Sequence, residues 1–109
     1  MPAGYLKPET VRMLHTPAPG TTPEGQPETT GYALGWGVST RPWAKGGGAE
    51  DRGLTLNHGG SNTSWLVIAW VAPERGLVIL GVCNAPGDEG ARACDEAIGM
   101  LLTKSGAAK

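Results

Sequence analysis

The chain lacks both an excess of charge and a long hydrophobic run, and each absence excludes a class of protein. Its 109 residues carry a formal net charge of -1. Lys and Arg are scattered rather than aligned, so we expect no nucleic-acid partner. The longest apolar runs, near 65 to 72 and 77 to 83, are far shorter than a membrane span. MPAGYLKPE at the start has no signal-peptide core, so we expect no membrane contact and, for the chain as given, a cytoplasmic location.

Cysteine is also scarce. Cys83 and Cys94 are too few for a disulfide scaffold and fall on different predicted elements. We expect buried reduced thiols, with a single disulfide as the alternative. Together with His15 and His58 they have no metal-ligand spacing, so the sequence predicts neither a metal nor another cofactor.

The length fits a single domain covering residues 1 to 109. Much of the glycine and proline falls in 17 to 31 and 42 to 53, which predicts loops there. LKPETVRMLHT, over 6 to 16, has Pro8 near its start and predicts a short helix with proline in the first turn.

Four segments have the pattern of β-strands. GYALGWGVS alternates Tyr32, Leu34, Trp36 and Val38 with smaller residues, which predicts a strand with one packed face. SWLVIAWVA and GLVILGVCN are apolar on both faces and are joined by the tight turn PERG, so they should form an antiparallel hairpin with a layer on each side. The predicted antiparallel sheet covers residues 31 to 38, 53 to 58, 62 to 72 and 76 to 84.

The last segment, PGDEGARACDEAIGMLLTK, predicts a helix over 88 to 103. Asp88 and Glu89 suit a helix N-terminus. Apolar residues recur at helical spacing at Ala91, Cys94, Ala97, Ile98, Leu101 and Leu102. This helix should cover one face of the sheet and give an α+β fold. The other face is left with the short helix and the loops, and an uncovered apolar face predicts a partner.

The order of these segments is more informative than any one of them. PETVRMLHTP, GYALGWGV, HGGSNTSWLVIAWVAPERGLVILGVCN and a terminal helix together resemble the C-terminal part of the serine β-lactamase, penicillin-binding-protein and class C-type esterase superfamily. In that family a Lys-Thr-Gly or His-x-Gly triplet opens a strand, a Pro-Glu turn leads to a second strand ending near Asn, and a helix follows. His58-Gly59-Gly60, Pro73-Glu74 and Asn84 match in order and spacing. The resemblance covers almost the whole chain and implies a partial β-lactamase/transpeptidase-like fold.

The nucleophile of that family has no counterpart here. The family's chemistry rests on a serine in Ser-x-x-Lys and a tyrosine in a Tyr-x-Asn-like motif, because the lysine and tyrosine act as bases that activate the hydroxyl. No serine in this chain has a lysine three residues later, and neither Tyr5 nor Tyr32 has an asparagine two residues later. We therefore expect one wall of the site and no catalytic competence for the chain alone.

The candidate site lies at the triplet. The resemblance implies catalytic roles for His58 and Ser61, and substrate contacts for Gly59, Gly60 and Asn62. The backbone N–H of Ser61 would be one donor of the oxyanion hole, the other belonging to the absent nucleophile. Histidine in place of lysine favours ester or peptide hydrolysis over β-lactam turnover in a full-length relative, since a partly charged side chain anchors a carboxylate less well. The residues alone leave a second interpretation, a turn histidine bonded to the backbone, and glycine fits both.

The remaining aromatic and histidine residues carry weaker signals. Trp36, Trp65 and Trp70 lie on or beside predicted strands and are expected in the core, whereas Trp43, in a Pro- and Gly-rich loop, is the candidate for a ligand platform. His15 ends the predicted first helix, where a cation would suit the helix dipole.

Two functions stay open on the sequence. The first is the C-terminal portion of a β-lactamase-like serine hydrolase, and the second is a stand-alone binding or assembly module that keeps the sheet and helix without the chemistry. The expected partner is either a missing N-terminal segment or a second copy of the chain. Self-association into a dimer would use edge pairing of 76 to 84 or face-to-face burial of the hairpin at 65 to 71.

Overall fold

The computed structural model describes residues 4 to 106. Five strands form one antiparallel sheet in the order β1-β2-β3-β4-β5, with a long helix at the C-terminal end. The elements within these residues are α1 (Pro8–His15), β1 (Gly31–Tyr32), β2 (Gly37–Thr40), β3 (Leu54–Ser61), β4 (Leu66–Ala72), β5 (Leu77–Cys83) and α2 (Gly87–Lys104). The predicted α+β fold, an antiparallel sheet with a C-terminal helix on one face, is confirmed. Neither helix in the described part of the chain is both long and apolar enough to cross a membrane.

The segment GYALGWGV is a hairpin of two short strands, not the single strand predicted over 31 to 38. The N–H of Ala33 donates to the C=O of Trp36 at 2.8 Å and closes the turn. Gly35 lies in this turn with a φ of 94°, a conformation that glycine adopts without strain. The turn interrupts the alternation, so Tyr32 and Leu34 are exposed instead of packed.

The boundary between β3 and β4 also differs from the prediction. β3 continues to Ser61 instead of ending at residue 58, and β4 begins at Leu66 instead of 62. Asn62 explains the difference, because its side-chain oxygen accepts the N–H groups of Ser64 at 3.2 Å and Trp65 at 3.0 Å. Such a side chain replaces strand pairing with a local turn. The tight turn predicted at PERG is present as a 3₁₀ turn over Pro73–Arg75.

Helix α2 packs against one face of β4 and β5. Its buried residues are Gly90, Cys94 and Ile98, spaced four apart. A Cβ at Gly81 of β5 would lie only 3.3 Å from both the Cys94 Cβ and the Ile98 Cδ1, so the absence of a side chain there permits the close approach. The predicted apolar stripe is wider than the buried one, since Ala97 and Leu101 are exposed.

The opposite face of the sheet is covered at one end only. Over β2 and β3 a buried cluster of Ala33, Val38 and Leu56 is flanked by partly buried apolar side chains. Over β4 and β5 the same face is open. Four side chains there are 39%, 59%, 58% and 65% exposed, respectively Val67, Val78, Leu80 and Val82. Helix α1 buries none of its residues, and it leaves these four side chains uncovered.

Candidate functional site

The triplet His58-Gly59-Gly60 lies in the second half of β3, where one edge of the strand is open. β2 pairs with residues 54 to 57 of β3, whereas β4 pairs with residues 56 to 61 on the other side. In the part of the chain that the structure describes, no strand pairs with residues 58 to 61 on the β2 side. An open edge of this kind presents backbone groups to another molecule or chain segment.

Hydrogen-bond alternation decides which backbone groups point to the open edge. In an antiparallel sheet, successive residues direct their N–H and C=O groups to opposite sides of the strand. The N–H of Arg41 donates to the C=O of Gly53 at 2.8 Å, across the β2 side. The register of β3 is unbroken, so residues 55, 57, 59 and 61 direct their backbone groups to the β2 side, as Gly53 does. The N–H groups of Gly59 and Ser61 therefore point to the open edge.

The fold itself does not require glycine at positions 59 and 60. Neither residue has a positive φ. A Cβ would lie 3.8 Å from the Val67 carbonyl oxygen at Gly59 and 3.7 Å from the Val67 Cγ1 at Gly60, which are ordinary contacts. At Gly37, by contrast, a Cβ would meet the Asn57 Oδ1 at 2.7 Å. Glycine weakens a strand, and no contact within the described residues accounts for the pair at 59 and 60.

The His58 side chain is exposed on the sheet face opposite α2, the face that Gly60 shares. Its ring lies edge-on to Trp36, with ring centroids 6.5 Å apart and an interplanar angle of 81°. Within residues 4 to 106 the ring makes no hydrogen bond. The alternative of a turn histidine bonded to the backbone therefore does not describe this residue, which lies in a strand with its ring open to solvent.

The side chains of Ser61 and Asn62 shape the turn that follows β3. The Ser61 Oγ accepts the N–H of Thr63 at 3.2 Å, and the Asn62 Oδ1 accepts two further backbone N–H groups of the turn. Thr63 has a φ of 75°, a strained conformation for a β-branched residue that this turn must hold in place. At position 61 the group left at the open edge is therefore the backbone N–H and not the hydroxyl.

An open groove of about 410 Å³ adjoins the triplet. It is lined by Gly60, Ser61, Asn62, Trp65, Leu66, Val67 and Val82. Trp65 is 55% exposed, so the tryptophan beside the site is not the one that the sequence singled out. Trp43 packs edge-on against Trp70, with ring centroids 6.1 Å apart. The sequence position of Trp65 could have indicated its exposure, because it lies between a polar turn and Leu66, the first residue of β4.

The other ionisable groups give no sign of a metal centre. No group of three or more His, Cys, Asp or Glu side chains that could hold a metal ion occurs in the described part of the chain. Burial lowers the pKa of His15, which disfavours the cation that the end of α1 would suit. Asp51 and Glu74 lie next to each other in the loop region before β3 and after β4, away from the triplet.

Comparison with known proteins places a similar segment in serine β-lactamase-like proteins. The chain is 31% identical over 93 residues to the serine β-lactamase-like protein LACTB, mitochondrial, of Homo sapiens. It is 31% and 30% identical to the proteins of the same name from Bos taurus and Mus musculus. The alignment with the human protein covers 74% of this chain and 17% of the relative, so the chain spans about a sixth of the length of these proteins. No protein-family model and no solved structure matches.

The similarity supports the resemblance at the level of the superfamily, and it does not distinguish a class C-type enzyme from an esterase. It covers a segment, and the activity of the whole relatives does not follow from a segment. The comparisons support a relationship between this chain and one segment of proteins in the serine β-lactamase and penicillin-binding-protein superfamily.

Proposed function

We propose that the chain forms one wall of the acyl-transfer site of a β-lactamase-like serine hydrolase and depends on a nucleophile from outside its own sequence. The observation that carries this proposal is the pair Gly59 and Gly60, which the fold does not require and which lies at an open strand edge. A substrate lying along this edge would need the space that two missing side chains leave.

The role of Ser61 follows from the chemistry of acyl transfer. Attack on an ester, amide or lactam places negative charge on the carbonyl oxygen, and an N–H group already aimed at that oxygen stabilises the transition state. The N–H of Ser61 is held in a paired strand, Ser61 opposite Leu66, and points to the open edge. It would serve as one oxyanion-hole donor, and the second would come with the nucleophile.

The neighbouring groups suit substrate orientation. The edge at Gly59 can pair with an extended acyl group or peptide in the manner of an added strand. The groove beside Trp65 and Val67 offers apolar walls to a side group of the substrate. His58 on the same face as Gly60 can orient a substrate or a proton, and its place in the triplet favours ester or peptide substrates.

The chain alone should be inactive. A serine hydroxyl is a poor nucleophile unless an adjacent base removes its proton, and the sequence contains no Ser-x-x-Lys. Half of an oxyanion hole without a nucleophile leaves most of the barrier in place. The alternative function, a stand-alone binding or assembly module, is favoured by the same open edge, since an added strand needs only backbone groups.

The test is a titration of the ¹⁵N-labelled chain with a chromogenic β-lactam, a short p-nitrophenyl ester and an extended peptide at millimolar concentration. We expect amide shift changes at Gly59, Gly60 and Ser61, no hydrolysis above background, and no acyl adduct by intact mass. Gly59→Val should abolish the shift changes of a ligand that needs the space at the glycine pair while the chain stays folded, because a Cβ fits there and the position is exposed, so the γ-methyl groups can point to solvent. Gly48→Val is the matched control, since a Cβ at Gly48 is also unobstructed, its nearest neighbour being the Asp51 Cβ at 3.9 Å.

Each other outcome decides against part of the proposal. A stoichiometric acyl adduct on Ser39, Ser61 or Ser64 would show that the chain carries its own nucleophile. Shift changes at Gly60 and Ser61 that survive Gly59→Val would show that the ligand pairs with the strand edge through backbone groups alone, which removes the glycine pair as support for the hydrolase site and favours the binding module. Binding of the peptide without any response to the ester or the lactam would favour the binding module.

A further inference from the structure

Cys83 and Cys94 lie side by side although they are 11 residues apart in the chain, and their sulfur atoms are 3.6 Å apart. Cys83 is the last residue of β5, and Cys94 lies in the first half of α2. Both are free thiols. Cys94 is buried, with 3% of its surface exposed, and Cys83 is half-buried.

Two glycines bring the cysteines together. A Cβ at Gly90 would lie 3.1 Å from the Cys83 Sγ, and a Cβ at Gly81 would lie 3.3 Å from the Cys94 Cβ. Helix and strand therefore approach closely on both sides of the pair. The Cys83 thiol donates to the carbonyl oxygen of Ala85 at 3.2 Å, and the Cys94 thiol is directed at the Cys83 sulfur. The two sulfurs face each other with no side chain between them.

We propose that Cys83 and Cys94 are a site of reversible oxidation, forming an intramolecular disulfide that clamps the first half of α2 to the end of β5. A disulfide has its sulfurs about 2.05 Å apart, so the pair must close by roughly 1.5 Å. This is a displacement of the order of one bond length.

The oxidation balances with a small disulfide as the oxidant. The Cys83 thiol loses its proton to solvent, and the resulting thiolate attacks one sulfur of the small disulfide. The S–S bond of the oxidant breaks, one small thiolate leaves, and a mixed disulfide remains on Cys83. Cys94 then attacks the Cys83 sulfur, loses its proton to solvent and releases the second small thiolate. Two electrons pass from the protein thiols to the oxidant. Burial raises the pKa of Cys94, and the adjacent Cys83 adds to the shift, so the more accessible Cys83 reacts first.

The clamp acts on the row of the sheet that contains Ser61. Cys83 pairs with Leu66, and Leu66 pairs with Ser61 on β3. Fixing Cys83 to α2 therefore restrains the end of the sheet at which the open edge of β3 lies. This mechanical effect is independent of whether Ser61 contacts a substrate.

The experiment exposes the whole chain to oxidised glutathione under native conditions and follows it by intact mass after alkylation. The mass of the wild type should fall by that of two hydrogens, and neither thiol should be alkylated. No disulfide-linked dimer should form. Cys94→Ala should stop at the mixed disulfide on Cys83, and Cys83→Ala should react much more slowly. Oxidation should raise the thermal midpoint by about 10 °C and slow amide exchange at Leu66 and Ser61.

Two results would overturn the proposal without relying on either variant. One is a wild-type chain whose two thiols stay fully alkylatable after oxidation in native buffer. The other is a disulfide that forms between chains, seen as a covalent dimer on a non-reducing gel. If the reduced and oxidised forms had equal thermal midpoints, the disulfide would still form, but the proposal that it clamps α2 to β5 would be wrong.

Discussion

The contact between the carboxyl groups of Asp51 and Glu74 shifts their two pKa values in opposite directions. Asp51 accepts the backbone N–H groups of Gly46, of Gly47 at 2.9 Å and of Gly53 at 2.9 Å. Hydrogen bonding with Glu74, followed by these backbone bonds, lowers the pKa of Asp51 from 3.8 to about 2. The same contact, together with burial and the negative charge of Asp51, raises the pKa of Glu74 above 4.5.

The two shifts act on stability in opposite directions. The stabilisation from Asp51 is present above its unfolded pKa of 3.8 and is lost as the pH falls toward about 2. The stabilisation from Glu74 is present below 4.5 and is lost as the pH rises through its folded pKa. We expect Glu74→Gln to be at least as stable as the wild type at pH 7, with the difference shrinking as the pH falls to 4.5. Thermal denaturation between pH 3 and pH 8 measures this.

Glu50→Gln is the control, because Glu50 is an exposed carboxylate in the loop that carries Asp51 and is not a hydrogen-bond partner of Asp51. It should leave the pH profile of stability unchanged. A Glu74→Gln variant that is less stable than the wild type by a constant amount at every pH would contradict the coupling, and would assign Glu74 to packing instead of charge.

Single residues were also where the sequence was least predictive. The triplet at 58 to 60 stands out as a pattern, but its position relative to the strands was predicted wrongly: the resemblance places it at the opening of a strand, whereas it lies in the second half of β3. The sequence could not show that Trp65 is the exposed tryptophan or that Asn62 forms a turn, because both depend on where β4 begins. Thr55 is completely buried because Ser39 lies opposite it and bonds its hydroxyl at 2.7 Å, a partner that only the register supplies.

Among the elements, α2 was the most predictable from the sequence. Its apolar spacing extends over a whole long helix, and such periodicity outweighs uncertainty at the ends. The β1–β2 hairpin was missed because the alternation of large and small residues continues in the sequence through Leu34 and Gly35, which form the turn. A glycine at a positive φ leaves no mark in the alternation itself.

Packing of α2 on the sheet predicts an unequal response to two truncations. Ile98 is 4% exposed and Met100 is 63% exposed on the same helix. Ile98→Ala should lower the free energy of unfolding by about 2–5 kcal/mol, because it removes buried contacts and leaves a cavity beside Gly81. Met100→Ala should change it by less than about 0.5 kcal/mol. Urea denaturation measures both, and equal losses would mean that α2 does not pack through the Ile98 face.

For the whole molecule, the two sides of the sheet are covered unequally. Helix α2 covers one face of β4 and β5. On the opposite face, the open apolar surface formed by Val67, Val78, Leu80 and Val82 is 39% to 65% exposed at each residue. It lies beside β5, the edge strand of the sheet, whose sequence LVILGVC has no charge or proline to block pairing. The sequence predicted this surface from the two-sided hairpin, but it could not show that the loops leave it bare.

We expect the 109-residue chain on its own to self-associate through this surface or the β5 edge. At about 25 cal/mol per Å² of apolar area, covering several hundred Å² contributes on the order of ten kcal/mol before association costs. A two-fold dimer closes the interface. Val78→Lys and Leu80→Lys should weaken self-association of the chain, whereas Gln26→Lys, in an exposed loop, should leave it unchanged.

The choice of positions follows from the structure. Ile79 and Thr55 look equivalent to these on the strand pattern, but both are buried, so a lysine at either would unfold the chain and report nothing about association. Sedimentation velocity at 5 to 200 µM measures the mass. A clean monomer of 11.2 kDa throughout that range would refute the prediction, because burial of the open apolar surface between chains would then be too weak to offset the cost of association.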